Sequence, residues 1–292
     1  METVNVLSGC GGGYDVFGAL PMYFRLSREG KKCVLLNFSF TEAYVLRNAA
    51  KKLGKYLYRV DPDEKHQGYH YFPEGYLANE LQVSIYIIPC WDITITCKDV
   101  QHCYEIIQQL YKVETIYLVD GGCDAILKGN EEDLGTPAED MMHIKGIEKI
   151  QCAKFITAIG LCVDAHGETM IKQLAQRLLE LKAHEQTLVW TKENADVARY
   201  ITTFRKHKPV QSVVHSLVVA AIDGERGMIT PSHLRAKIGK SRVVLSELTC
   251  TQHTYPYDVI VSTNLYFHRL KDTMTLAEID DEVVRFRLEQ IN

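Results

Sequence analysis

Short apolar, β-like runs alternate with helix-like segments along most of the chain, and this alternation constrains the fold more than any other feature. The strand-like runs are Val4–Leu7, Cys33–Phe38, Ser84–Ile88, Thr115–Val119, Phe155–Val163, Arg242–Leu248 and Asp258–Ser262. The helix-like segments are Pro21–Arg28, Thr41–Leu53, Val100–Leu110, Pro137–Lys149, Glu168–His184, Lys192–His207, Ser212–Asp223 and Leu276–Arg287. A strand can reach a parallel neighbour only by a crossover along one face of the sheet. Repeated alternation therefore predicts an α/β protein: an open, mainly parallel, twisted sheet with helices on both faces, in a Rossmann-like arrangement. Thr136-Pro137-Ala138-Glu139 and Thr275-Leu276-Ala277-Glu278 read as capping boxes that start two of the helices. Asp61–Tyr76, rich in Pro, Gly, His and Tyr and without a period, reads as a long surface loop. No convincing linker divides the chain, so residues 1–292 read as a single domain, with a C-terminal subdomain from about 208 as the alternative.

Composition narrows the classes of function. The net charge of −4 comes with no strongly basic run, which argues against nucleic acid as the principal partner. No apolar run approaches the roughly 20 residues needed to cross a membrane, and the N-terminus lacks the pattern of a signal peptide. The nine cysteines are odd in number, scattered and free of CxxC pairs, so they read as free thiols of a cytoplasmic protein rather than a disulfide framework or zinc site. This composition is compatible with homo-oligomerisation.

The chemistry is expected where strands end. In open parallel sheets, ligands bind beyond the carboxyl ends of the strands. The first strand runs into Gly9-Cys10-Gly11-Gly12-Gly13-Tyr14-Asp15, with four glycines in five positions. Such a loop, next to a helix start, presents main-chain N–H groups to an anion. Gly11, Gly12, Gly13, Tyr14 and Asp15 are accordingly candidate ligand- or phosphate-binding residues. A dinucleotide fingerprint would need a third glycine where Val16 stands and an acid where the second strand ends at Asn37. A Walker loop would need a lysine, and none precedes Lys31. Asn37 and Ser39, at the end of the second strand, are candidates to contact sugar or other polar groups. Cys10 reads as a small buried residue rather than a reactive thiolate.

A second strand delivers Asp120-Gly121-Gly122-Cys123-Asp124, followed by Gly129-Asn130-Glu131-Glu132-Asp133. Oxygen donors of this kind suit Mg²⁺ or Mn²⁺. Asp120, Asp124 and Glu131 are candidate metal ligands, Asp120 and Asp124 double as candidate catalytic carboxylates, and Gly121 and Gly122 join the ligand-binding set. Asp140, near a helix start, is expected to face water, its charge complementing the helix dipole. His166, in Asp164-Ala165-His166-Gly167-Glu168, is a further catalytic candidate because histidine titrates near neutral pH.

The segments Gly11–Pro21, Leu36–Thr41, Val119–Leu127, Gly129–Glu131 and Leu134–Asp140 together resemble the domain of unknown function 1152 family. The resemblance implies that the glycine loop and the Asp-Gly-Gly segment belong to one site. It implies no reaction. The leading expectation is a small-molecule enzyme, a hydrolase or transferase, that binds a nucleotide or phosphorylated metabolite with a divalent metal. One alternative is an NAD(P)- or flavin-dependent oxidoreductase; another is a non-catalytic ligand-sensing or scaffold protein.

Overall fold

The computed structural model describes residues 1–132, 135–163, 168–207, 212–229 and 243–291. Its centre is a nine-stranded sheet. The parallel part comprises β1 (Thr3–Gly9), β2 (Cys33–Ser39), β5 (Ile85–Pro89), β6 (Lys112–Asp120) and β7 (Ala153–Ala158). Antiparallel strands extend both edges: β3 (Lys51–Lys52) and β4 (Tyr58–Val60) beside β5, and β11 (Thr251–Pro256) and β8 (Gln186–Val189) beside β7. The strand order is β3-β4-β5-β2-β1-β6-β7-β11-β8. A separate hairpin pairs β9 (Gly227–Ile229) with β10 (Val243–Leu245). The chain is thus an α/β protein whose sheet is mainly parallel at its centre, as the alternation predicts. β1 lies between β2 and β6, so the chain reverses its direction of winding there, which is where such sheets open a crevice for ligands.

Successive side chains of a strand point to opposite faces, and the buried core divides accordingly. Val4, Val6, Leu36, Phe38, Ile88 and Leu118 join one cluster, while Leu7, Leu35, Ile87 and Val119 join the other. The first cluster is covered by α4 (Cys97–Leu110), α5 (Pro137–Gly146), α6 (Glu168–Leu181), α9 (Tyr257–Thr263) and α10 (Leu276–Ile291). The second is covered by α1 (Leu20–Arg28), α2 (Ala43–Ala49), α3 (Pro73–Leu81), α7 (Ala195–Lys206) and α8 (Val213–Ile222). Among the described residues no helix is long and apolar enough to cross a membrane.

Three expectations change. Asp258–Ser262 is helical, within α9, because Pro256 closes the strand and the preceding Thr251–Pro256 takes the ladder position against β7. The helix expected over Thr41–Leu53 is the short α2, after which the chain turns into β3. The loop expected over Asp61–Tyr76 contains a 3₁₀ turn at Glu64–Gly68 and the start of α3, which has a proline in its first turn.

Candidate functional site

Gly12 and Gly13 have φ of +99° and +64°, and these left-handed residues fold the loop after β1 back on itself. Asp15 follows, opening a 3₁₀ turn, and its Oδ2 accepts the Gly11 amide at 2.7 Å. The anion that this amide holds is therefore the protein's own carboxylate. Asp120 ends β6, and the Cys10 amide bonds the neighbouring Val119 carbonyl at 2.9 Å, which holds the ends of β1 and β6 together. Asp120 Oδ2 accepts the Ala125 amide at 3.1 Å, which closes the turn beyond the strand.

The third member of the cluster is Asp140, in the first turn of α5. Carboxylate oxygens of Asp15, Asp120 and Asp140 all lie within 4.8 Å of one another. Asp140 is only 3% exposed, which corrects the expectation that it faces water, because α5 is buried on nearly all sides. Its Oδ1 has no hydrogen-bond partner. Burial, and then the charges of Asp120, Asp124 and Asp15, push its pKa well above the ordinary carboxylate value. Glycines make the approach of these acids possible. A Cβ at Gly11 would lie 2.6 Å from Asp140 Oδ2, and one at Gly121 would lie 2.7 Å from Asp15 Oδ1.

Two buried histidines brace the glycine loop from opposite faces of the sheet. His143 Nδ1 lies 3.1 Å from the Cys10 carbonyl and its Nε2 lies 2.7 Å from the Tyr104 hydroxyl. A carbonyl can only accept, so Nδ1 carries the proton and Nε2 accepts from the tyrosine. His215 mirrors this arrangement: Nε2 donates to the Tyr14 carbonyl at 3.0 Å and Nδ1 accepts from Tyr200 at 2.9 Å. Burial lowers the pKa of both histidines to about 4, so both are neutral near pH 7.

The same loop is tied to β2 and α3. Asn37 Nδ2 donates to the Gly13 carbonyl at 3.0 Å and to Glu74 Oε1 at 2.5 Å, and Thr41 Oγ1 donates to Glu74 Oε2 at 2.7 Å. Ser39 Oγ accepts the Thr41 amide at 2.9 Å. Glu74 is fully buried, which raises its pKa, while Asn37, Ser39 and Thr41 oppose the rise by donating to it. Asn37 Oδ1 and the Tyr71 hydroxyl, both buried, have no hydrogen-bond partner, and the charges of Glu74 and Asp15 act on Tyr71. Glu74→Ala would leave buried donors on Asn37 and Thr41 without an acceptor. The expected cost is about 2–4 kcal/mol, read as a lower urea midpoint at unchanged slope, with Glu74→Gln losing less.

Of the residues singled out in the sequence, Gly11, Asp15, Asp120 and Gly121 meet in one place, with Gly12, Gly13, Tyr14, Asn37 and Ser39 beside them. Asp124 serves the neighbouring loop: its Oδ2 accepts the Thr136 amide at 2.9 Å, and a Cβ at Gly135 would lie 2.6 Å from its carboxylate oxygens. The capping box expected at Thr136 accordingly does not form, because the Thr136 side chain makes no cap bond; the box at Thr275 does form. Glu131 stands apart from the acid trio, with both oxygens taken at 2.8 Å by the Lys128 and Gly129 amides of its own turn. Cys10 is buried and its thiol pKa is raised by burial and by Asp140, in keeping with a small buried residue. His166 lies outside the described residues.

Asp140, Glu74 and Tyr71 were missed. For Glu74 the available signal was Pro73, which marks a helix start; for Asp140 it was the apolar run Met141-Met142-His143-Ile144, which marks a buried helix.

Fold and site define an α/β protein with a buried acidic cluster at the carboxyl ends of parallel strands, beside a glycine loop. The chain belongs to the family described as Protein of unknown function (DUF1152), whose model matches residues 6–288. No curated protein and no solved structure gives a match.

Proposed function

We propose that this chain is an enzyme of hydrolysis or group transfer acting on a nucleotide or other phosphorylated small molecule, with Mg²⁺ or Mn²⁺ held by Asp15, Asp120 and Asp140. The observation that carries this reading is the convergence of the three carboxylates within 4.8 Å, with a buried oxygen of Asp140 unpartnered. Three like charges this close are costly unless protons or a cation neutralise them. Octahedral Mg²⁺ with bonds of about 2.1 Å sets adjacent oxygens about 3.0 Å apart and opposite ones about 4.2 Å apart, so the three carboxylates would draw together by up to about 1.8 Å around the ion.

The cation would supply charge neutralisation to phosphoryl oxygens. The glycine loop supplies the other half of the binding site. With the Gly11 amide taken by Asp15, the Gly12, Gly13 and Tyr14 amides are the loop donors left to meet a phosphoryl oxygen among the described residues. The histidine braces and the Asn37–Glu74 pair hold those amides at a fixed distance from the acids, so little reorganisation accompanies binding. The nine free cysteines fit a reducing compartment, in support of a cytoplasmic location.

The test is a panel of nucleoside phosphates and sugar phosphates assayed for phosphate release with Mg²⁺, with Mn²⁺ and with chelator. Metal-dependent turnover that Asp120→Asn abolishes while the fold persists is the expected result. Metal binding without turnover of any member would favour a sensing or scaffold role, and absence of metal binding would remove the reading altogether.

A further inference from the structure

A cavity of about 380 Å³ opens against the first turn of α5, the turn that also carries Asp140. Trp91 and Ile93 from the loop after β5 form one wall, Ala138 and Glu139 from the first turn of α5 another, and Leu276 and Asp280 from the start of α10 the third. Glu139 immediately precedes Asp140, so cavity and trio share one helical turn. Cys90 also lines the cavity, and its thiol donates to the Ser39 carbonyl at 3.2 Å, which places this wall at the end of β2.

Resting on the function proposed above, we propose that this cavity takes the base of a purine nucleotide whose Watson–Crick edge presents N–H donors side by side, as guanine does. Trp91 offers a fixed ring face: its Nε1 donates to the Thr41 carbonyl at 2.6 Å, while the side chain stays 38% exposed. Ile93, 85% exposed, stands at the rim. The lining is apolar except for Thr136 and the two carboxylates. Glu139 and Asp280 come from different helices and converge on one space. An alkyl chain there would desolvate both acids with nothing in exchange, and a phosphate or carboxylate would be repelled. A planar ring with adjacent donors stacks on Trp91 and meets the acids with N–H groups. The volume is within the range of small-molecule sites.

The experiment uses the full chain in chelator, so that the base pocket is read without the metal site, and titrates nucleosides that lack phosphate. The protein has two tryptophans, and Trp190 is only 1% exposed, so fluorescence quenching reports Trp91. Guanosine should quench saturably and bind about tenfold tighter than inosine, which lacks the exocyclic amine, a difference of the size expected for one hydrogen bond to a charged group. Asp280→Asn should erase most of that preference while leaving the Mn²⁺ titration of the trio unchanged. Equal binding of guanosine and inosine, no saturable quenching, or an Asp280→Asn variant with the preference intact would each overturn the proposal. The proposed reaction stands or falls separately, on metal binding and phosphate release.

Discussion

Asp140→Asn is expected to make the metal-free protein more stable and to remove the proposed activity. In chelator, Asp140 sits buried against Asp120, Asp124 and Asp15, with one oxygen unpartnered. An amide of the same shape removes that repulsion, a gain of about 1–3 kcal/mol. For a chain of this size each kcal/mol corresponds to about 2–4 °C in Tm. Saturating Mn²⁺ should reverse the order: at a hundred times Kd it stabilises the wild type by about 2.7 kcal/mol and leaves the variant where it was. Turnover should fall on the order of 100-fold or more, as when an electrostatic group at a reacting centre is lost. Thermal melts in chelator and in Mn²⁺ separate this account from a structural one. A variant less stable than wild type in chelator would mean that the carboxylate holds the fold together.

Stability should also fall as pH drops from about 6.5 toward 4, because of the two braces on the glycine loop. His143 and His215 have folded pKa values of about 4 against 6.5 unfolded. Above pH 6.5 both are neutral in either state and the contribution is complete. Between 6.5 and 4 the unfolded chain takes up protons that the folded chain excludes, so unfolding becomes easier with each step down. Below 4 the folded state protonates too and the loss levels off. The shift of each ring corresponds to about 3 kcal/mol. His207, whose pKa burial also lowers to about 4, adds to the same trend. Glu74, Glu139 and Asp140 work in the opposite sense, since their raised pKa values let the folded state bind protons first. His143→Asn keeps a donor at the Nδ1 position and His215→Gln keeps one at the Nε2 position. Urea unfolding at pH 7, 6 and 5 should show a shallower decline for each variant than for wild type. Parallel slopes in all three proteins would remove the histidines from the account.

The central strands, most of the helices and the glycine loop were legible because their signals are local: apolar runs, proline at helix starts, glycine where a strand gives way to a turn. Asp120 and Gly121 followed from the rule that chemistry gathers at strand ends. What failed was whatever depended on the surroundings of a residue rather than on its neighbours in sequence. Asp140, near the start of a helix, looks the same in sequence whether it complements the dipole in water or is buried against Gly11 and the carboxylates of Asp15 and Asp120. Asp124 looked like the partner of Asp120, yet Thr136 and Gly135 claim it to hold the turn before α5. The β-branched run of α9 read as a strand because Pro256, which ends the ladder, was outside the window that defined it. Glu74 was hidden by an aperiodic stretch, though its role is to anchor Asn37 against the glycine loop.

The most direct test of the central claim is an anomalous difference map, recorded near the manganese edge, from crystals soaked in Mn²⁺. The account predicts one strong peak bonded to oxygens of Asp15, Asp120 and Asp140, absent in Asp140→Asn. A map with no peak among these three carboxylates, or with manganese bound only at Asp124 or Glu131, would contradict it.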